Sequence, residues 1–252
     1  AWKDFCDGKF KGDIFSPRRD KNSQPAVEWP KVSINQAQDD FDVMALSQFR
    51  GCSDVLRNEK SGAFMAVRCN YGTGIMPSLF GAELFMMEES TGTLPTTKPL
   101  ASADDIRKII EKGVPDLKSG LGEKVLEMGR RYMKIREKYP KIGRYVHVFH
   151  PDMQGSMDIA ELLWGSSIFY GLVDQPELVH RLLKLVTATY KAFMREWEKI
   201  VPPSDPYSVH WASMHKGRIT LRDDSAMNLS TEMFDEFIKP YDQELLNAVG
   251  GG

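Results

Sequence analysis

The sequence is poor in cysteine, and its three cysteines are far apart. Cys6, Cys52 and Cys69 are odd in number and form no CxxC pair, so neither a disulfide framework nor a cysteine-rich zinc site is indicated. The first residues also lack the charged and then apolar pattern of a secretion signal. Both observations predict a protein of a reducing compartment, which we expect to be the cytoplasm.

An excess of charge of one sign is also missing. The 33 Lys and Arg residues face 35 Asp and Glu residues, which gives a formal net charge of -2. Because no basic field is available to neutralise phosphates, we expect no nucleic-acid partner. The longest uncharged stretch, residues 69–82, contains glycine and proline and is too short to cross a bilayer, so we expect no membrane association.

Several catalytic signatures are absent from the sequence. There is no HExxH, no GxSxG and no GKS or GKT phosphate loop, and "NYGTG" lacks the third glycine of a dinucleotide loop. His147 and His150 have opposite parity on a predicted strand, and His210 and His215 flank a predicted bend, so neither pair is suited to share a metal. We therefore predict no metal site within these 252 residues and disfavour NAD and ATP.

Alternating apolar patterns are what the sequence does have. Hydrophobic residues make up 42% of the chain, which is ample for a core. Residues 63–70, 144–150, 207–214 and 217–223 have the pattern of strands, whereas residues 39–57, 175–200 and 231–249 have the pattern of helices, the last with Pro240 expected to kink or divide it. Strands that alternate with helices favour parallel βα units, preceded here by a loop-rich segment over residues 1–62.

Polar residues follow the predicted strands, where βα proteins collect their functional groups. Among them we predict catalytic roles for His150, Asp152 and Asp224. We predict that the remaining residues at these points bind substrate, namely Asn70, Tyr71, Gln154, His210 and Asp223. The alternative is structural, because Asp152 and Gln154 can cap the helix that starts near residue 156, and the two aspartates can cap the following turn.

Four stretches of the chain together resemble the uroporphyrinogen decarboxylase superfamily. They are "GIMPSLFGAELFMME" (74–88), "PDMQGSMDIAELLWG" (151–165), "LVDQPELVHRLLKLVT" (172–187) and "RDDSAMNLSTEMFDEFIKPYDQELL" (222–246). The resemblance runs from about residue 64 onwards and implies a (β/α)8 TIM barrel. The family chain continues through further strands, so residues 63–252 are expected to form a partial barrel, with residues 1–62 as an elaboration packed on it.

The resemblance leaves the reaction open between two branches. The decarboxylase branch carries an R-Q-A-G-R-Y type motif, an aspartate five residues before the proline at 77 and a tyrosine near position 162. This chain has no such motif, and has Gly72 and Leu162 at those positions. The other branch transfers methyl groups between a corrinoid and a thiol or small methylated compound, and its zinc ligands would fall beyond Gly252.

We therefore favour methyl transfer, with uroporphyrinogen decarboxylation in tetrapyrrole biosynthesis as the alternative and a ligand-binding barrel without chemistry as a second. The methyltransferase interpretation implies zinc and a corrinoid as cofactors. It implies a small-molecule or corrinoid ligand, and a corrinoid protein or a second copy of the chain as partners.

Overall fold

The longest helix organises the packing of the chain. It runs over residues 176–200, and its apolar side chains recur every three or four positions. Val179, Leu182, Val186, Phe193 and Trp197 are all buried. This helix contacts six others, so its predicted apolar face is confirmed as the centre of the core.

A computed structural model describes residues 1–19, 24, 27–57, 61–100 and 102–251. The helices are α1 (Trp2–Cys6), α2 (Ile34–Asp39), α3 (Phe41–Arg57), α4 (Ile75–Leu79), α5 (Ala103–Lys112), α6 (Gly122–Lys138), α7 (Pro140–Tyr145), α8 (Ser156–Trp164), α9 (Ser167–Asp174), α10 (Pro176–Ile200), α11 (Thr231–Phe237) and α12 (Lys239–Val249). The strands are β1 (Met65–Val67), β2 (Leu84–Phe85), β3 (Thr96–Thr97), β4 (Val146–Val148), β5 (Tyr207–His210) and β6 (Ser213–Lys216). Two short 3-10 helices cover Glu89–Thr91 and Asp224–Asn228.

The helix ends follow from local sequence. The Ser102 side chain accepts a hydrogen bond from the backbone N–H of Asp105 and so caps α5. Pro240 divides the last predicted helix, because α11 ends at Phe237 and α12 begins at Lys239 with the proline in its first turn. The predicted division at Pro240 is therefore confirmed.

The first two predicted strands are parallel neighbours. Met65 pairs with Val146, and Val67 pairs with Val148. Both strands are three residues long, shorter than predicted, since α7 extends up to Tyr145 and replaces the start of the second segment. The two chain segments therefore leave the sheet side by side, and this positions the site described below.

The prediction of a third parallel strand over residues 207–213 is wrong, and so is that of a strand over 217–223. Residues 207–210 form a strand, but it pairs antiparallel with β6. The reason is a chain reversal at Trp211 and Ala212, whose φ angles are 51° and 66°. No strand covers residues 217–223.

The architecture is helix-rich α/β with few strands. Across the described ranges, the strands form three two-stranded sheets and do not close a barrel. The predicted division of the chain at residue 62 stays a prediction, although α3 packs directly on β1. Along the described part of the chain, no helix combines the length and the apolar character needed to span a membrane.

Candidate functional site

The loops that leave β1 and β4 lie together because the two strands are parallel and adjacent. Arg68 is the first residue after β1, and residues 149–155 connect β4 to α8. The segment 217–223 lies against the second loop, since the N–H of Gly155 donates to the carbonyl of Arg222 at 2.6 Å. The polar side chains from these three segments fall into two groups.

The first group, here called the Asp152 cluster, consists of Arg68, Asp152, Trp211 and Arg222. Arg68 Nη1 lies 3.0 Å from Asp152 Oδ2, and the guanidinium of Arg222 pairs with Asp152 Oδ1. Gln154 Nε2 donates to the same Oδ1 at 2.8 Å. The Asp152 side chain is buried, so one carboxylate bridges two guanidiniums away from bulk water.

Trp211 forms the floor of this cluster. The Arg68 guanidinium carbon lies 3.9 Å from the centroid of the indole, and that of Arg222 lies 5.2 Å from it. These are cation–π distances. The indole remains 48% exposed, so the platform that holds both guanidiniums is open to solvent.

Backbone strain is concentrated around the same cluster. Three non-glycine residues of the described chain have positive φ, namely Gln154 (66°), Trp211 (51°) and Ala212 (66°). A bulky residue with positive φ is sterically strained. In a two-residue hairpin turn, such positions are usually occupied by Asn or Gly. Such strain persists only where other interactions hold it and is characteristic of functional sites.

His150 and His210 stack on each other beside the Asp152 cluster, with ring centroids 4.4 Å apart. Burial lowers the pKa of His150 to about 4 and that of His210 to about 2, so both rings are neutral at pH 7. Nδ1 of His150 donates to the carbonyl of Pro151 at 2.8 Å, and Nε2 of His150 accepts from the N–H of Thr220 at 3.0 Å.

Both nitrogens of His150 are therefore engaged with backbone in this structure, and its catalytic role stays a prediction. The Nε2 atom of His210 is buried and has no partner among the described residues.

The second group, here called the Asp158 cluster, consists of Asp158, Asp223, Ser225 and Asp242. Asp223 Oδ1 accepts the N–H groups of Met157 and Asp158, both at 3.0 Å, and so caps α8. In return, Asp158 accepts the N–H of Asp224 at 2.9 Å and both the N–H and the hydroxyl of Ser225, at 2.9 and 2.5 Å. Each carboxylate therefore caps the helix that begins next to the other.

A proton completes the Asp158 cluster. Asp223 Oδ2 and Asp242 Oδ1 are buried and find no N–H or O–H donor in the described structure. Burial, and then the neighbouring Asp242 carboxylate, raise the pKa of Asp223 to about 8. Because two adjacent buried carboxylates repel each other, we expect the pair to hold one proton between them near neutral pH. Gly155 is required here, because a Cβ atom at this position would lie 1.8 Å from Asp223 Oδ2.

Asn70 and Tyr71, the two predicted substrate-binding residues after β1, lie outside the cluster formed by Arg68 and Asp152. Tyr71 is 1% exposed and belongs to the hydrophobic core. The carbonyl of Asn70 accepts from Gln38 Nε2 at 3.2 Å, while its Oδ1 is buried without a partner among the described residues. Tyr71 thus lies in the core, whereas a substrate-binding residue is expected at a surface or cavity wall.

A cavity of about 370 Å³ opens beside Gln154. Asp224 and the helix α8 residues Asp158 and Glu161 contribute to its wall. Burial raises the pKa of Glu161, with a smaller contribution from Asp158. This volume suits a small organic molecule, and Gln154 connects the cavity to the Asp152 cluster through its hydrogen bond to Asp152.

The structure therefore brings together some of the predicted residues and separates others. Gln154 and Asp224 line one cavity, and Asp152 is joined to Gln154 by a hydrogen bond. Asp223 caps α8 rather than the turn that follows it, which the structural alternative had named. Catalysis by His150, Asp152 and Asp224 and substrate contact by Asn70, Tyr71, Gln154, His210 and Asp223 stay predictions.

Sequence reasoning missed Arg68, Trp211 and Arg222. Arg68 carried a signal, because it is a lone charge directly after the apolar run "AFMAV". Arg222 directly precedes the two aspartates, which were predicted as site residues in its place. Within the described residues, no group of three or more His, Cys, Asp or Glu side chains is arranged to hold a metal ion.

Comparison of the sequence with protein-family profiles and with curated proteins finds no match. Among solved structures, the fold is similar to that of a methyltransferase from Methanosarcina mazei, with a TM-score of 0.64 and 18% sequence identity. The similarity covers 90% of this chain and 64% of that protein, so this chain spans less than two thirds of its length. At this identity the likeness shows a shared fold.

Proposed function

We propose that this chain is part of a methyltransferase of the uroporphyrinogen decarboxylase superfamily, which transfers a methyl group between a corrinoid and a small thiol or methylated compound. The observation that carries the proposal is the similarity of the fold to a methyltransferase over 90% of the chain. The four sequence stretches that resemble the superfamily support it independently.

The site has the size and polarity that a small methyl acceptor requires. The cavity of about 370 Å³ admits a small molecule but cannot enclose a corrin macrocycle, so in this proposal a partner protein carries the corrinoid. When bound to that partner, the corrinoid would supply an electrophilic methyl group. Gln154 and Asp224 then border the acceptor.

The donors present in the described residues do not fit a zinc ion, because no cluster of three ligating side chains exists among them. We therefore derive no step through zinc in this part of the chain.

The backbone at Gly72 argues against the decarboxylase alternative. That branch places an aspartate at this position. Here the φ angle is +77°, and a Cβ atom would lie 2.2 Å from the carbonyl oxygen of Pro95. An aspartate cannot be accommodated without moving this backbone, so the pyrrole-binding carboxylate of that branch has no place in this fold.

Methyl transfer is tested with the full-length protein, methylcobalamin as methyl donor and 3-mercaptopropionate or 2-mercaptoethanol as acceptor. We expect formation of the methyl thioether, measured by mass spectrometry, together with loss of the methylcobalamin spectrum. The proton released from the thiol and the electron pair left on cobalt balance the transfer. Release of carbon dioxide from uroporphyrinogen, without thioether formation, would contradict the proposal and restore the decarboxylase.

A further inference from the structure

The two guanidiniums of the Asp152 cluster have more hydrogen-bond donors than the protein uses. Each guanidinium offers five N–H groups. In the part of the chain that the structure describes, Asp152 is the one acceptor bound by either of them. None of their nitrogens without a partner is cut off from solvent. The cluster therefore has solvent-accessible N–H groups without an acceptor among the described residues.

The charge of the cluster is also incompletely balanced. Arg68 and Arg222 carry two positive charges, and Asp152 supplies one buried negative charge. Burial and the proximity of Arg222 lower the pKa of Arg68 to about 10, which reflects the crowding of the two cations. The other carboxylate that acts on Arg222 belongs to Asp224, which is exposed and screened by solvent. His150 and His210 are neutral and add no charge.

The geometry fixes the direction in which these donors point. Both guanidiniums stack on Trp211, and Trp211 is held in a strained left-handed conformation. Stacking on an aromatic face leaves the edge of a guanidinium free, and that edge matches the two oxygens of a carboxylate. A preorganised pair of such edges binds an anion at low entropic cost.

We propose that Arg68 and Arg222, stacked on the half-exposed indole of Trp211, form a subsite for the carboxylate of a small organic acid. The ligand's oxygens take the free N–H groups, and Asp152 holds the two cations in place without saturating them. That the acid is the methyl acceptor rests on the proposed function, whereas the carboxylate subsite itself does not.

Calorimetric titration of the full-length protein with propionate tests the subsite, with neutral propionamide of the same shape as control ligand. We expect propionate to bind. Propionamide is expected to bind at least roughly tenfold more weakly, because it cannot form the charge-assisted hydrogen bonds. Equal binding of the two ligands, or no binding of propionate, would overturn the proposal.

Variants locate the binding. Arg222→Gln is expected to weaken propionate binding roughly tenfold, and Arg222→Lys is expected to restore part of it through the charge. Arg195→Gln, which makes the same change on the exposed face of α10, serves as the matched control and is expected to bind as the unaltered protein does. An Arg222→Gln variant that binds as tightly as the control would refute the assignment. Because Arg68 still pairs with Asp152, the variant is expected to fold, and a thermal melt checks this.

Asp152→Asn provides a test of opposite sign. It removes the carboxylate that competes with the ligand for the two guanidiniums, so propionate is expected to bind several-fold more tightly. Weaker or unchanged binding would mean that Asp152 does not compete with the ligand for the guanidiniums, and would overturn the subsite.

The two proposals fail separately. Propionate binding without methyl transfer would remove the function and leave the subsite, whereas methyl transfer by a protein that does not bind propionate would remove the subsite and leave the function.

Discussion

Asp152 and Asp158 are six residues apart, on either side of the start of α8, yet their surroundings differ in kind. Asp152 is bound by two guanidiniums that have N–H groups without an acceptor among the described residues and that lie on the half-exposed indole of Trp211. Asp158 is bound by two backbone N–H groups and a hydroxyl. The other two carboxyl groups of its cluster, Asp223 and Asp242, are expected to hold one proton between them. Unused hydrogen-bonding capacity distinguishes a group that can meet a ligand from one that holds the fold.

The largest expected effect concerns the closed cluster. Asp158→Ala leaves three buried donors without an acceptor and uncaps the 3-10 helix at 224–228, so we expect a loss of about 3 kcal/mol in the free energy of unfolding. Urea denaturation measures it. Asp158→Asn keeps one acceptor oxygen and is expected to lose about half as much. If Asp158→Ala proves as stable as the unaltered protein, the two clusters do not differ in the way described.

A second prediction uses pH to separate the clusters. The pKa of Asp223 is raised from 3.8 to about 8 in the folded protein, so the folded state holds a proton that the unfolded state has released. The corresponding stability is fully present below pH 4 and is lost as the pH rises to about 8. Asp223→Asn imitates the protonated carboxyl and still caps α8.

We therefore expect the stability of Asp223→Asn to fall less between pH 4 and 8 than that of the unaltered protein. Thermal melts across this range measure the difference, with the Arg222→Gln variant as control, because its substitution lies outside the proton-sharing pair. Parallel pH profiles for the unaltered protein and Asp223→Asn would show that no proton is shared.

The smallest expected effect concerns strain in the open cluster. Ala212 has a φ angle of 66° in the turn between β5 and β6, a conformation that glycine adopts without steric cost. Ala212→Gly is expected to raise the free energy of unfolding by about 0.5–1 kcal/mol, measured by urea denaturation. The same change at Ala160, in the buried middle of α8, is expected to destabilise. A loss of stability in Ala212→Gly would mean that the turn is not strained.

Local patterns in the sequence predicted the helices well. The apolar spacing of α10, the Ser102 cap and the break at Pro240 all depend on residues within a few positions of each other. The parallel pairing of the segments around β1 and β4 was also predictable, because both are apolar runs that precede loops and helices.

A bend between His210 and His215 was predicted, but the left-handed reversal at Trp211 and Ala212 could not be predicted from local preference. Neither residue favours a left-handed turn, and the alternating pattern of residues 207–214 is that of one continuous strand. Contacts from elsewhere hold the turn, among them the hydrogen bond from the N–H of Phe64 to the carbonyl of Ala212 at 2.8 Å. The same limitation hid the Asp152 cluster, since Arg68 and Arg222 are 154 positions apart and meet through tertiary structure alone.

Arg222 and Asp223 are consecutive residues, yet the first joins the Asp152 cluster and the second joins the Asp158 cluster. Inserting a single residue just before them would present the guanidinium of Arg222 to the start of α8, and deleting one would present the carboxylate of Asp223 to Asp152. Among related sequences, we therefore expect the length of the segment from 218 to 225 to vary less than its composition. Individual substitutions there alter one cluster, whereas a change of length by one residue removes both.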